Sequence, residues 1–88
     1  MKVVVLYHPK SDHGGLVEDY ARDYHRFRGH DLELVSLETR DGGGMASRYD
    51  VTRYPAVLAI DQNGVLHKLW QEEHLPLMND LDLYFSAQ

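Results

Sequence analysis

Apolar residues in this chain follow two rhythms. Val3, Val4, Val5 and Leu6 form an unbroken, mostly β-branched run, and so do Ala56, Val57, Leu58, Ala59 and Ile60. Such runs predict strands covered on both faces. Between them, Leu16, Val17, Tyr20, Ala21, Tyr24 and Phe27 recur every three or four residues. That spacing predicts one apolar helical stripe, and Gly29 follows where a left-handed C-terminal cap belongs. Leu32, Leu34, Val35 and Leu37 predict a second strand. The segment from Asp41 to Gly44 reads as a flexible break, which leaves Met45 to Tyr49 for a short helix only. Asn63-Gly64 between apolar runs signals a hairpin, with Val65, Leu66, Leu69 and Trp70 on the return strand. Pro76 suits the first turn of a last helix carrying Leu77, Met78, Leu81, Leu83, Tyr84 and Phe85.

The predicted order is β-α-β-α-β-β-α, an α/β arrangement. A helix joins the first two strands, so they should run parallel with a right-handed crossover. The last two should form an antiparallel hairpin, giving a four-stranded mixed sheet with helices on both faces. No repeat, linker or low-complexity stretch divides the 88 residues, so a single domain spanning 1–88 is expected.

Charge narrows the function classes. A formal charge of −5 argues against nucleic acid as a partner, because phosphate neutralisation needs a basic surface. The one basic concentration, Arg22, His25, Arg26, Arg28 and His30, sits at the end of the first predicted helix and complements its macrodipole. No apolar run is long enough to span a bilayer, and the N-terminus lacks the apolar core and cleavage site of a signal peptide. No membrane contact and a cytoplasmic location are expected. The chain has no cysteine, which excludes dithiol–disulfide exchange by composition.

The residues with chemical potential gather around the first strand–helix junction. Ser11 at a helix N-terminus reads as a cap for free backbone N–H groups. His8 and His13 flank Asp12, but they lack the spacing of a helical metal pair, and no metal or cofactor is expected. Gly14-Gly15 lacks the spacing of a phosphate-binding loop. Tyr20, Tyr24 and Trp70 read as packing residues, and Glu18 and Asp19 as a solvated helix face.

The element order, with a proline directly before the third strand, resembles the minimal thioredoxin fold used by glutaredoxins. Ala46, Tyr49, Val51 and Pro55 fit that family's A-x-x-Y-x-[VI]-x-x-x-P pattern, and Pro9 stands where the family often has a proline ahead of its first cysteine. The resemblance implies a sheet in order 2-1-3-4, a cis bond at Tyr54–Pro55, and a redox position running from Ser11 to Gly14. Ser11 then replaces the nucleophilic cysteine and Gly14 the resolving one, with Asp12 and His13 between. It implies a binding surface made of Ser11, Asp12, His13, Gly14, Tyr54 and Pro55, where an extended peptide or partner protein pairs with the Tyr54 backbone. The resulting reading is a redox-inactive binding or regulatory module rather than an enzyme. The alternative is an enzyme that holds glutathione through the Ser11 hydroxyl. Restoring cysteine at 11 and 14 is expected to rebuild the motif on an intact frame.

Overall fold

The computed structural model describes residues 1–71 and 74–86. The element order is β1 (Lys2–Tyr7), α1 (Gly14–Arg28), β2 (Glu33–Ser36), α2 (Arg40–Arg48), β3 (Ala56–Ile60), β4 (Leu66–Trp70) and α3 (Met78–Ser86). The sheet runs β2-β1-β3-β4. β1 pairs in parallel with β2, and antiparallel pairing joins β1 to β3 and β3 to β4. Strand order, direction of pairing and helix count all match the sequence-based expectation.

The continuous apolar runs in β1 and β3 are explained by helices on both sides of the sheet. Strand residues alternate between faces, so β1 sends Val3, Val5 and Tyr7 one way and Val4 and Leu6 the other. Val3, Val5, Tyr7, Val57 and Ala59 pack with Val17 and Tyr24 of α1 and Leu81 of α3. Val4, Leu6, Leu58 and Ile60 pack with Val51 and Ala56, and Met45 and Ala46 of α2 close over them. Burying one such valine, leucine or isoleucine side chain stabilises the fold by about 1.5–3 kcal/mol, and every residue from Val3 to Tyr7 and from Ala56 to Ile60 is buried.

Three sequence-based expectations are corrected. The apolar stripe of α1 is narrower than its spacing implies: Leu16 is 61% and Phe27 62% exposed, while Val17 and Tyr24 are buried against the sheet. Val65, Leu77 and Leu83 are likewise exposed, since Val65 lies in the turn and Leu77 precedes α3. The third correction is at α2, where the glycine run is helical, not a break. The Thr39 hydroxyl caps the helix by accepting the Gly42 N–H at 3.1 Å, and Asp41 complements its first turn. Gly42 belongs there for space: a Cβ would meet the Ser36 carbonyl oxygen at 2.0 Å. A cap and close packing on β2 thus outweigh a helix propensity penalty near 1 kcal/mol per glycine.

The β3–β4 connection occupies residues 61–65. Asp61 organises it, accepting the Asn63 and Val65 N–H groups at 2.8 and 3.0 Å and meeting the His67 ring at 2.8 Å. Gly64 takes φ +83° there, and Gly29 takes the left-handed cap position of α1 at φ +74°. Tyr24 of α1 and Asp82 of α3 are hydrogen-bonded at 2.8 Å, and Arg28 donates to the same carboxylate at 3.0 Å. These contacts fix α1 and α3 side by side on one face. Among the described residues, no helix is long and apolar enough to cross a membrane.

Candidate functional site

The β1–α1 loop is held by its own backbone. Ser11 N–H donates to the His8 carbonyl and Gly14 N–H to the Ser11 carbonyl, both at 3.1 Å. The Ser11 hydroxyl donates to the same His8 carbonyl at 2.6 Å. Ser11 therefore does not cap α1, contrary to expectation. The N-cap position falls to His13, whose side chain makes no capping bond. His13 instead folds back: its Nε2 accepts the His8 backbone N–H at 3.1 Å. That contact needs an unprotonated Nε2. Partial burial first, then the charge of His8, holds the His13 pKa below its ordinary 6.5, while Asp12 opposes the shift.

Gly14 is buried and opens α1. A Cβ at this position would meet the Pro9 carbonyl oxygen at 2.1 Å and the His8 carbonyl oxygen at 3.1 Å. The expectation that cysteines at 11 and 14 would sit on an intact frame is therefore corrected. A side chain at residue 14 requires the backbone of the loop at Pro9 to shift.

Tyr54 and Pro55 arrive from the other side, on the segment between α2 and β3. Their peptide bond is cis. The Tyr54 hydroxyl donates to the Val51 carbonyl at 3.1 Å, which pins the ring beneath its own loop. The two loops meet through His8, whose ring lies edge-on to Tyr54 at 5.6 Å and 6.1 Å from the His13 ring. Ser11, Asp12 and His8 are exposed, while His13, Tyr54 and Pro55 are half-buried. His8, His13 and Tyr54 thus form one contiguous surface at this end of the sheet.

Two positioning residues were not identified from the sequence. Gln71, just beyond β4, accepts the Thr52 and Arg53 N–H groups through its Oε1 at 3.0 and 3.4 Å, and so holds the segment leading to Pro55. Glu18, read as part of a solvated face, accepts the Tyr7 hydroxyl at 3.1 Å. Burial first, then that bond, raises the Tyr7 pKa above 10.0. Tyr20, Tyr24 and Trp70 pack on the core, as expected from their spacing.

Among the described residues, no three His, Cys, Asp or Glu side chains gather closely enough to hold a metal ion. Open cavities of about 650 and 480 Å³ lie on the α2 side of the sheet, and no residue from Ser11 to Gly14 or at Tyr54–Pro55 lines either.

No protein-family model matches the sequence, and no curated protein is similar to it. Among solved structures, thioredoxin 1 from the thermophilic eubacterium Thermosipho africanus TCF52B superposes with a TM-score of 0.69 at 13% identity, covering 99% of this chain and 97% of that one. The fold is that of thioredoxin. The likeness is one of fold alone, and this version of the thioredoxin fold carries no cysteine. At its β1–α1 loop the thioredoxin fold here presents a hydroxyl, an imidazole pair and a glycine, with no group able to attack a disulfide.

Proposed function

We propose that the protein is a redox-inactive binding module, taking an extended peptide or an extended segment of a partner protein across the surface between Ser11–Gly14 and Tyr54–Pro55. The observation that carries this reading is the Tyr54 backbone. Among the described residues its N–H and C=O make no hydrogen bond, although Gln71 satisfies the N–H groups of Thr52 and Arg53 just before it. An unpaired backbone donor and acceptor on a half-buried residue beside the exposed Ser11 and Asp12 are complementary to a strand-like ligand, whose main chain supplies both partners. His8 and His13 form the neighbouring wall. Asp12 at the rim favours a ligand with a basic residue nearby.

The glutathione alternative is weaker on geometry. A serine that stabilises a thiolate must donate its hydroxyl proton to sulfur. Here that proton is committed to the His8 carbonyl at 2.6 Å. Titration of isotope-labelled protein with a short extended peptide, followed by amide NMR, tests the module reading. The expected result is joint perturbation of Tyr54, His8 and Ser11, with little change in affinity for Ser11→Ala. Binding of glutathione itself, weakened about tenfold by Ser11→Ala, would overturn the reading in favour of the enzyme.

A further inference from the structure

The larger cavity is a trough between β2 and α2, with a volume of about 650 Å³. Every residue of β2, from Glu33 to Ser36, lines it, so the trough follows the strand along its length. β2 lies at the end of the sheet, and among the described residues no strand pairs with its outer side. The Leu37 N–H donates inward to the Tyr7 carbonyl. By the two-residue alternation of a strand, Glu33 and Val35 also turn their backbone groups toward β1, and Leu34 and Ser36 turn theirs outward. The Ser36 carbonyl is occupied by the N–H and hydroxyl of Thr39. The N–H and C=O of Leu34 and the N–H of Ser36 remain as an unpaired edge, which templates the addition of another strand.

The facing wall is helical. Arg40, Gly44 and Arg48 line the trough at four-residue spacing and so share one face of α2. Gly44 leaves the middle of that face open, since a Cβ there would meet nothing within 4 Å. Both arginines are exposed, and among the described residues neither makes an ion pair or a hydrogen bond. The other charges are accounted for: Lys2 pairs with Glu33 at 3.4 Å, and Asp41 complements the first turn of α2. Two unpaired guanidinium groups thus stand over an open strand edge on a chain of net charge −5.

We propose that this trough binds an acidic extended peptide segment, which adds to β2 as a fifth strand and sets two carboxylates against Arg40 and Arg48. The spacings agree. Eight helical residues separate the arginines by about 12 Å along the axis. Carboxylates four residues apart on an extended chain lie about 13 Å apart and, four being even, project from the same face. Main-chain pairing with Leu34 and Ser36 supplies affinity, and the arginines choose the acidic sequence. The site is separate from the surface beside Pro55, because none of the residues assigned to that surface lines the trough.

The test uses a short N-acetylated peptide alternating glutamate with valine, titrated into labelled full-length protein and read by amide NMR. The expected perturbations fall on Leu34, Ser36 and Gly44 and leave Tyr54 and Ser11 unmoved. Arg40→Gln combined with Arg48→Gln should weaken binding roughly tenfold and reduce its salt dependence, with the fold intact by circular dichroism. Methylating alternate peptide nitrogens should abolish binding if the ligand is a strand. Equal affinity for the lysine analogue, or perturbations confined to Tyr54 and Ser11, would overturn the proposal. So would concentration-dependent shifts at Leu34 and Ser36 without peptide, accompanied by a dimer in sedimentation, because a second copy would then be the occupant.

Discussion

At the scale of single residues, Gly14 and His13 set what the β1–α1 loop can do. The Pro9 carbonyl sits where a Cβ of residue 14 would be, at 2.1 Å, so Gly14→Ala should cost about 1–3 kcal/mol of stability by overpacking. Gly15, where a Cβ would meet nothing within 4 Å, is the control, and Gly15→Ala should leave the denaturant midpoint unchanged or raised. A Gly14→Ala protein as stable as the parent would show that the loop relaxes freely and that a dithiol could be accommodated. His13 gives a pH signature. Its folded pKa lies below the ordinary 6.5, so its contribution to stability is complete above that value and is lost as pH falls through the folded pKa. In an imidazole NMR titration the His13 ring should protonate below the ordinary 6.5. The amide resonance of His8 should move with it, because His8 N–H is the donor to Nε2. Uncoupled titration of these two signals would remove the His13 contact from the account of the loop.

At the scale of elements, the chain announced its strands and misreported one helix. The doubly covered runs of β1 and β3 were legible because burial on both faces leaves no polar position to obscure them. The glycines of α2 concealed a helix whose stability comes from the Thr39 cap and the seat of Gly42 against Ser36, neither of which is a periodic signal. The same difference separates the candidate site into readable and unreadable parts. Tyr54 and Pro55 were located through the resemblance of Ala46, Tyr49, Val51 and Pro55 to the glutaredoxin pattern. Gln71 reaches the same segment from nineteen residues away by a contact that no local pattern encodes. Ser11 was misread as a cap because the sequence names a residue type but not the direction of its hydroxyl. α2 provides a direct test of this account. Gly43→Ala adds a methyl group in open space within the helix and should stabilise the protein by about 0.5–1 kcal/mol. Gly42→Ala, one position earlier, should destabilise it by about 1–3 kcal/mol, since the added carbon meets the Ser36 carbonyl at 2.0 Å. Urea unfolding of the two variants should bracket the parent, and a shift of both in the same direction would contradict the close seating of α2 on β2.

At the scale of the whole molecule, the two helices on the α1–α3 face are tied together by phenol groups, which makes the fold sensitive to alkali. Tyr24 is fully buried and donates to Asp82, which also accepts from Arg28, while Arg28 reaches Asn79 at 2.9 Å. Tyr20 donates to the Pro76 carbonyl at 2.6 Å and so ties α1 to the start of α3. Burial first, then the negative charges of Asp80 and Asp82, pushes the Tyr20 pKa up to about 12. Burial first, then the bond to Asp82, pushes the Tyr24 pKa further above 10.0. Both folded values exceed the unfolded one, so the stability these phenols contribute is complete below about pH 10. It is lost as pH rises toward the folded values, because the unfolded chain releases its phenolic protons first. Denaturant midpoints should therefore fall steeply above about pH 10, with tyrosinate absorbance from Tyr20 and Tyr24 appearing only on unfolding. Tyr24→Phe removes one hydrogen bond to a carboxylate that keeps Arg28, and should cost about 1–2 kcal/mol near neutral pH. The same substitution should flatten the alkaline loss, since one of the linked protons is gone. A Tyr24→Phe protein with the parent's alkaline slope would show that the Tyr24 hydroxyl contributes no proton linkage to folding.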